Sequence, residues 1–226
     1  LVPTHEAGYI LPDIARLFGV LKNIADMSQH VHDKTAGHLS IACLPGFATS
    51  HMPAVVSNFL KTRPDVTITL EPDRPERILE WIVREQYDCG ITDGFDGHPA
   101  IESTKMSVRT VCIFPKGHRF QDLKQVDARH LDNERFVHTR RDSSFYQSLN
   151  EVFRKTSITP IHVVETRQFT AACELVAQGV GLSVVSELDA LTYEDRLDFR
   201  PFAPSVPHEI CLVRPIHKLP SRITLD

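Results

Sequence analysis

The sequence lacks the short motifs of several common enzyme classes. The phosphate-binding pattern GxxxxGK[ST], the nucleophile pattern GxSxG and the zinc pattern HExxH are absent from its 226 residues. Gly179-Val-Gly181 follows a helical segment and leads into a strand, which is typical of a helix end and not of a phosphate loop. Asp93–His98 (DGFDGH) does not have the spacing of a calcium loop, so a turn-rich loop is favoured over a metal site. The sequence gives no positive indication of an enzyme, a cofactor or a metal.

Long apolar runs and paired cysteine motifs are also missing. No run approaches the ~20 apolar residues of a membrane helix, and residues 1–10 lack the basic and apolar regions of a signal peptide. The five cysteines are odd in number and include no CxxC, and four of them lie in apolar runs. These features predict buried reduced thiols, a reducing cytosol and no membrane partner.

The chain has no excess of positive charge. Lys and Arg number 25 against 29 Asp and Glu, which gives a net charge of −4. Such a balance makes this chain a poor surface for duplex DNA. With 42% hydrophobic and 24% charged residues, the composition is that of an ordinary folded protein.

The first stretch of the chain has its own apolar pattern. Apolar residues recur at alternating intervals of four and three over about three heptads, which is the pattern of a coiled-coil seam. The seam residues are Ile10, Ile14, Leu17, Leu21, Ile24 and Val31. The pattern predicts a dimerisation helix over residues 1–37, with Gly37 as its stop; a helix packed on its own domain is the alternative.

Beyond Gly37, strands and helices alternate. The predicted strands begin near residues 39, 66 and 87, and again near 135, 161 and 181, so the same rhythm repeats after about 95 residues. This repeat predicts an α/β protein with two Rossmann-like lobes and a cleft between them. We assign residues 38–106 and 214–226 to lobe I and residues 107–213 to lobe II.

The predicted carboxyl ends of the strands are rich in Ser, Thr, Asp and Arg, and open parallel sheets bind ligands at this edge. The candidate ligand-binding residues are Gly46, Thr49, Ser50, Asp93, His138, Thr139, Arg140, Arg141, Ser143, Ser144, Thr166 and Arg167. Thr49-Ser50 and Ser143-Ser144 are predicted to open helices, where their hydroxyls serve as caps, with or without a ligand contact.

The arginines point to a carboxylate ligand, because guanidinium binds carboxylate bidentately; a solvated surface role is the alternative for each. Neighbouring residues at a strand end point in opposite directions, so only one of Arg140 and Arg141 is expected to face the cleft. Asp93 is placed to receive an ammonium group. Together these residues predict a small carboxylate, and an amino-acid derivative better than a simple acid.

Six segments, in this order, resemble one family, the LysR-type transcriptional regulators. They are LVPTHEAG (1–8), GHLSIA (37–42), FLKTRPDV (59–66), YDCGI (87–91), PKGH (115–118) and LVAQGVGL (175–182). In the fifth segment Arg119 stands where the family usually has Pro.

The resemblance implies a fold similar to type 2 periplasmic binding proteins, preceded by a linker helix that pairs two subunits. It implies a cytoplasmic regulator in which a small effector between the lobes rearranges a homodimer or homotetramer on DNA. The DNA-reading domain is expected to precede Leu1. An exported solute-binding protein of the same fold is the alternative, and an enzyme on this fold is a more remote one.

Overall fold

The structure is a computed structural model, and it describes Ile14, residues 18–20 and residues 37–218. Ile14 and residues 18–20 are helical and exposed, with 68% of Phe18 accessible to solvent. The rest of the predicted seam over residues 1–37 lies outside the described residues, so the dimerisation helix stays a prediction.

Lobe I is built on a five-stranded sheet with the order β2-β1-β3-β11-β4. Its elements are β1 (Gly37–Cys43), α1 (Pro45–Ser50), α2 (Met52–Thr62), β2 (Val66–Pro72), α3 (Pro75–Val83), β3 (Cys89–Asp93), β4 (Ile101–Ser107) and β11 (Glu209–Pro215). β1 pairs in parallel with β2 and β3, whereas β11 runs antiparallel to β3 and β4. The parallel part matches the predicted βαβαβ unit.

Lobe II repeats this arrangement with different sheet edges. Its elements are β5 (Thr110–Pro115), β6 (Val126–Asp127), β7 (Arg135–Thr139), α4 (Ser144–Thr156), β8 (Ile161–Thr166), α5 (Phe169–Ala177), β9 (Ser183–Ser186), α6 (Glu187–Leu191) and β10 (Leu197–Ala203). The strands form the sheet β6-β10-β5-β9 and the parallel pair β7-β8. A parallel bridge between Phe136 and Leu182 places β7 beside β9.

The two lobes therefore share one strand order, β2-β1-β3 in lobe I and β8-β7-β9 in lobe II. The predicted structural repeat and the two-lobed α/β fold are confirmed. Gly181 explains how β7 and β9 approach each other, because a Cβ there would collide with the carbonyl oxygen of Arg135. The Leu182 N–H donates to that same carbonyl at 2.8 Å.

The chain crosses between the lobes twice, through two adjacent segments. The first crossing joins β4 to β5, and the second joins β10 to β11. They are linked by a hydrogen bond from the Val108 N–H to the His208 carbonyl, at 2.9 Å. Because β11 begins at Glu209 and pairs only with lobe I strands, residues 209–213 lie in lobe I and not in lobe II, where the sequence placed them. The alternating pattern of β11 is that of a strand in either sheet, so the sequence could not decide its partner.

Each lobe has its own core, formed where helices cover the sheet. In lobe II, α4 buries Phe145, Leu149 and Phe153, which recur every four residues on one face. The strand β5 is buried along almost its whole length because both of its faces are covered. The five cysteines are free thiols, and all but Cys89 are buried, so the predicted unpaired thiols are confirmed. No helix in the described part of the chain is long and apolar enough to cross a membrane.

Candidate functional site

Ser143 forms the N-terminal cap of α4, as the sequence predicts. Its hydroxyl accepts a hydrogen bond from the Tyr146 N–H at 3.1 Å and donates one to the Arg140 carbonyl at 2.8 Å. The Thr139 hydroxyl lies 3.4 Å from it. These bonds occupy the Ser143 hydroxyl and hold the turn between β7 and α4 in one shape. Ser144, the first residue of α4, is exposed and leaves its hydroxyl available for a ligand.

A cavity of about 430 Å³ lies between the turns that follow β7 and β8. Its lining residues are Arg140, Arg141, Asp142, Glu165, Thr166 and Arg167. The cavity brings together four of the predicted site residues, and three of them are arginines. Because these turns follow the carboxyl ends of two parallel strands, the position agrees with the rule for ligand sites in open sheets.

Arg140 and Arg141 both line the cavity, and the expectation that only one of them faces the cleft between the lobes stays a prediction. β7 ends at Thr139, so both arginines lie in the following turn, where the alternation of a strand no longer applies. Arg140 is the more buried, and its Nε donates to the neighbouring Asp142 carboxylate. Arg141 is 69% exposed, and its Nε lies 3.6 Å from Glu165. Arg141 therefore has the looser ion pair and the freer guanidinium.

Thr166 and Arg167 complete the cavity from the β8 side. The Thr166 hydroxyl accepts a weak hydrogen bond from the Gln168 N–H at 3.4 Å. Arg167 is exposed and forms no ion pair with any residue that the structure describes. The cavity is therefore lined by three arginines and two acidic residues, Asp142 and Glu165.

His138 lies behind the cavity and does not line it. Its side chain is 3% exposed, and its Nδ1 lies 2.7 Å from the Thr139 carbonyl oxygen. The ring packs against the rings of Tyr146 and His162, with centroids 5.1 and 4.6 Å away. His138 and the buried Thr139 therefore support the turn from within and offer no exposed surface to a ligand.

Thr49 and Ser50 do not open a helix, contrary to the sequence prediction. They form the end of α1, which begins at Pro45 in a segment predicted as a turn. Both hydroxyls donate to the Gly46 carbonyl of their own helix, at 3.0 and 2.7 Å. The proline at the first helical position starts α1 earlier than the Ser and Thr pattern suggests. The two hydroxyls are thus bound within α1.

Asp93 ends β3, at the same sheet edge from which α1 starts. The Leu44 N–H, just before α1, donates to the Ile91 carbonyl at 3.2 Å. Burial raises the pKa of the Asp93 carboxyl, and the nearby Glu76 raises it further. No described Lys, Arg or His forms an ion pair with Asp93. A carboxyl in this state favours a cationic partner.

The lobes meet at two glycines of lobe I. A Cβ on Gly46 would lie 3.5 Å from the Thr170 hydroxyl oxygen and 3.7 Å from Asp189 Oδ1, both in lobe II. A Cβ on Gly94 would lie 3.6 Å from the Ser144 hydroxyl oxygen. We call the approach of Gly46 to Thr170 and Asp189 the interlobe contact. Gly46 is a predicted site residue, and a Cβ at this position would be in ordinary van der Waals contact with lobe II.

Sequence reasoning missed Asp189. It is the third residue of α6, where the pattern Ser186-x-x-Asp189 is that of an ordinary helix start. In the structure its side chain is 3% exposed, and burial raises its pKa to about 7. A hydrogen bond with Ser186 lowers the pKa only in part. The sequence pattern carries no signal for the burial of this carboxyl.

Three rings from lobe II and the second crossing pack together close to this contact. The His208 ring lies 5.6 Å from the Phe145 ring and 5.2 Å from the Phe169 ring, measured between centroids. Phe145 is the second residue of α4, and Phe169 is the first residue of α5. Burial lowers the pKa of His208 to about 4, so the ring is neutral near pH 7.

A family model described as the LysR substrate binding domain matches residues 32–224. The chain belongs to the LysR family of transcriptional regulators. The activator LysR of Escherichia coli (strain K12) is 30% identical over an alignment of 220 residues, which covers 96% of this chain and 71% of that protein. NocR, a regulatory protein of Agrobacterium tumefaciens (strain T37), is 28% identical over an alignment of 228 residues, which covers 100% of this chain and 76% of NocR.

Solved structures of LysR-family proteins have the same fold. Full-length CbnR in complex with its target DNA superposes with a TM-score of 0.77 at 20% identity, over 100% of this chain and 80% of CbnR. The effector-binding domain of QuiR in complex with shikimate superposes with a TM-score of 0.66 at 17% identity, over 84% of this chain and 92% of that domain. At these identities the likeness shows the fold alone. Membership of the LysR family favours the regulator over the solute-binding protein and, at the level of the family, over an enzyme.

Proposed function

We propose that this LysR-family effector domain binds a small metabolite with a carboxylate group, an amino-acid derivative in preference to a simple acid. The observation that carries the proposal is the cavity lined by three arginines at the carboxyl ends of β7 and β8. The looser ion pair of Arg141 and the guanidinium of Arg167, which has no ion pair within the described residues, leave positive charge for an incoming carboxylate. The exposed Ser144 hydroxyl lies at the start of α4, on the side that faces Gly94 of lobe I.

The effector would act by changing the angle between the lobes. The two hydrogen-bonded crossing segments form a narrow connection about which lobe II can rotate. A ligand that touches both lobes favours the closed arrangement, and it shifts the equilibrium by its difference in affinity for the two states. In the full-length regulator this motion would rearrange a homodimer or homotetramer on DNA in the cytoplasm. The exposed Ile14 and Phe18 support pairing through the N-terminal helix.

Calorimetry with arginine variants tests the carboxylate site. A screen by thermal shift over amino acids, amino-acid conjugates and carboxylates first supplies a ligand, since a ligand at 100 times its Kd adds ~2.7 kcal/mol to the folded state. We expect Arg141→Ala and Arg167→Ala to weaken binding by roughly 10- to 100-fold, because a charge-assisted hydrogen bond contributes ~1.5–3 kcal/mol. Arg140→Ala should cost less, because Asp142 already neutralises that guanidinium.

Arg154→Ala is the matched control. Arg154 is an exposed arginine on α4 that pairs with Glu151 and does not line the cavity. Its replacement should leave the affinity unchanged. If all three cavity variants bind as tightly as the wild type and the Arg154 variant, the carboxylate lies elsewhere.

A further inference from the structure

Asp189 is a buried carboxyl without a cation. Its side chain is 3% exposed, and no Lys, Arg or His among residues 37–218 forms an ion pair with it. The Ser186 hydroxyl supplies a hydrogen bond, and burial still raises the pKa of the carboxyl to about 7. A carboxylate in such a place is costly unless a positive group joins it.

The Asp189 carboxyl lies at the interlobe contact. Asp189 Oδ1 is 3.7 Å from the point that a Cβ on Gly46 would occupy, and the Thr170 hydroxyl oxygen is 3.5 Å from the same point. Gly46 belongs to lobe I, whereas Asp189 and Thr170 belong to lobe II. This carboxyl therefore lies on the side of lobe II that faces α1 of lobe I.

Asp93 brings a second carboxyl of the same kind to this edge from lobe I. It is the last residue of β3, the strand next to β1, and the end of β1 leads into α1 and Gly46. It is buried enough to raise its pKa, and it too has no cationic partner in the described chain. The arginines of the site lie in the turns at 140–142 and 165–167. The predicted site therefore combines these two carboxyls with the arginines of the two turns.

We propose that Asp189 contacts a cationic group of the effector, an ammonium or a guanidinium, with Asp93 facing the same group from lobe I. The inference rests on the proposed effector site and adds the chemical class of its ligand, a molecule with a carboxylate at one end and a cation at the other. The cation would pair with two carboxyls, one from each lobe, that have no other cationic partner among the described residues. The helix-start pattern at Ser186 accounts for an acidic residue on α6, and it does not account for the burial of that residue.

Pairs of compounds that differ only in a cationic group test this proposal. The pairs are L-lysine and L-norleucine, L-arginine and L-citrulline, and L-norleucine and hexanoate, with Kd measured by calorimetry for the wild-type chain. In each pair the first compound, the cationic member, carries a cationic group that the second lacks, and we expect the cationic member of at least one pair to bind 10-fold or more tightly than its partner. Asp189→Asn should remove that preference and change the affinity for the compound that lacks the group by less than twofold.

A second variant and the cavity arginine separate the possible failures. Asp93→Asn should weaken the same preference, which keeps the test valid if one variant folds poorly by circular dichroism. Arg141→Ala should weaken both members of a pair equally, because both carry the carboxylate. The inference is overturned if no cationic member binds, or if Asp189→Asn leaves its affinity within twofold. An unchanged affinity in Arg141→Ala alone would count against the carboxylate site instead.

Discussion

Replacement of Asp189 by Asn should stabilise the chain at alkaline pH and much less at acidic pH. The asparagine has nearly the same shape and keeps a hydrogen-bond partner for Ser186, while it removes the titrating proton. In the folded chain the carboxyl has a pKa of about 7, against 3.8 when it is free of the fold. The folded state therefore holds this proton more tightly than the unfolded state does.

The sign and size of the effect follow from that difference. The stability that Asp189 contributes is fully present below about pH 4 and is lost as the pH rises towards 7. Three pKa units correspond to about 4 kcal/mol, of which roughly 2 to 3 kcal/mol is lost between pH 5 and pH 8. The stabilising effect of Asp189→Asn should therefore be larger at pH 8 than at pH 5 by that amount.

Urea denaturation of the wild-type chain and the variant at the two pH values measures this difference directly. Asp96→Asn is the control, because Asp96 is exposed and loses little hydration on folding. Its effect should be the same at both pH values. Equal effects of Asp189→Asn at pH 5 and pH 8, or a loss of stability confined to pH 8, would refute the account of a buried carboxyl without a cation.

Three further predictions concern His208 in the second crossing, the close approach of β7 and β9, and the pairing of two chains. His208 has a pKa lowered to about 4 by burial, so its contribution to stability is present above pH 6.5 and is lost as the pH falls towards 4; His208→Gln should flatten this acid limb by about 3 kcal/mol in urea denaturation. Gly181→Ala should lower the free energy of unfolding by about 1–3 kcal/mol, because its Cβ meets the Arg135 carbonyl oxygen, and an unchanged Tm would contradict the close approach of β7 and β9. Substitution of Leu17 and Leu21 by Asp should convert a dimer to monomer in analytical ultracentrifugation, because each places a charge in an apolar seam; a wild-type chain that is already monomeric at micromolar concentration would show the seam prediction to be wrong.

The elements of the fold were predictable because their signals are local. The alternation of β2 and the four-residue spacing of Phe145, Leu149 and Phe153 give the type of each element directly. The Ser143 cap was predictable for the same reason, since a cap needs only the hydroxyl and the next turn. The pairing of β11 with lobe I was not predictable in detail, because a strand carries no local record of its partner.

The candidate site was predictable only in part, because its geometry depends on where strands stop and on how the lobes meet. The turn after β7 places Arg140 and Arg141 in the lining of one cavity, since β7 ends at Thr139. Thr49 was misplaced because α1 begins at a proline, four residues earlier than predicted. Asp189 lies close to Gly46, more than 100 residues away in sequence, and no local pattern reports such proximity.

A crystal structure of the chain with the tightest carboxylate ligand from the screen would show where the effector binds. We expect the ligand to lie between the lobes, with its carboxylate within hydrogen-bond distance of Arg141 or Arg167 at the cavity after β7 and β8. A ligand bound on an outer face of either lobe, with the arginine cavity filled by solvent, would contradict this expectation.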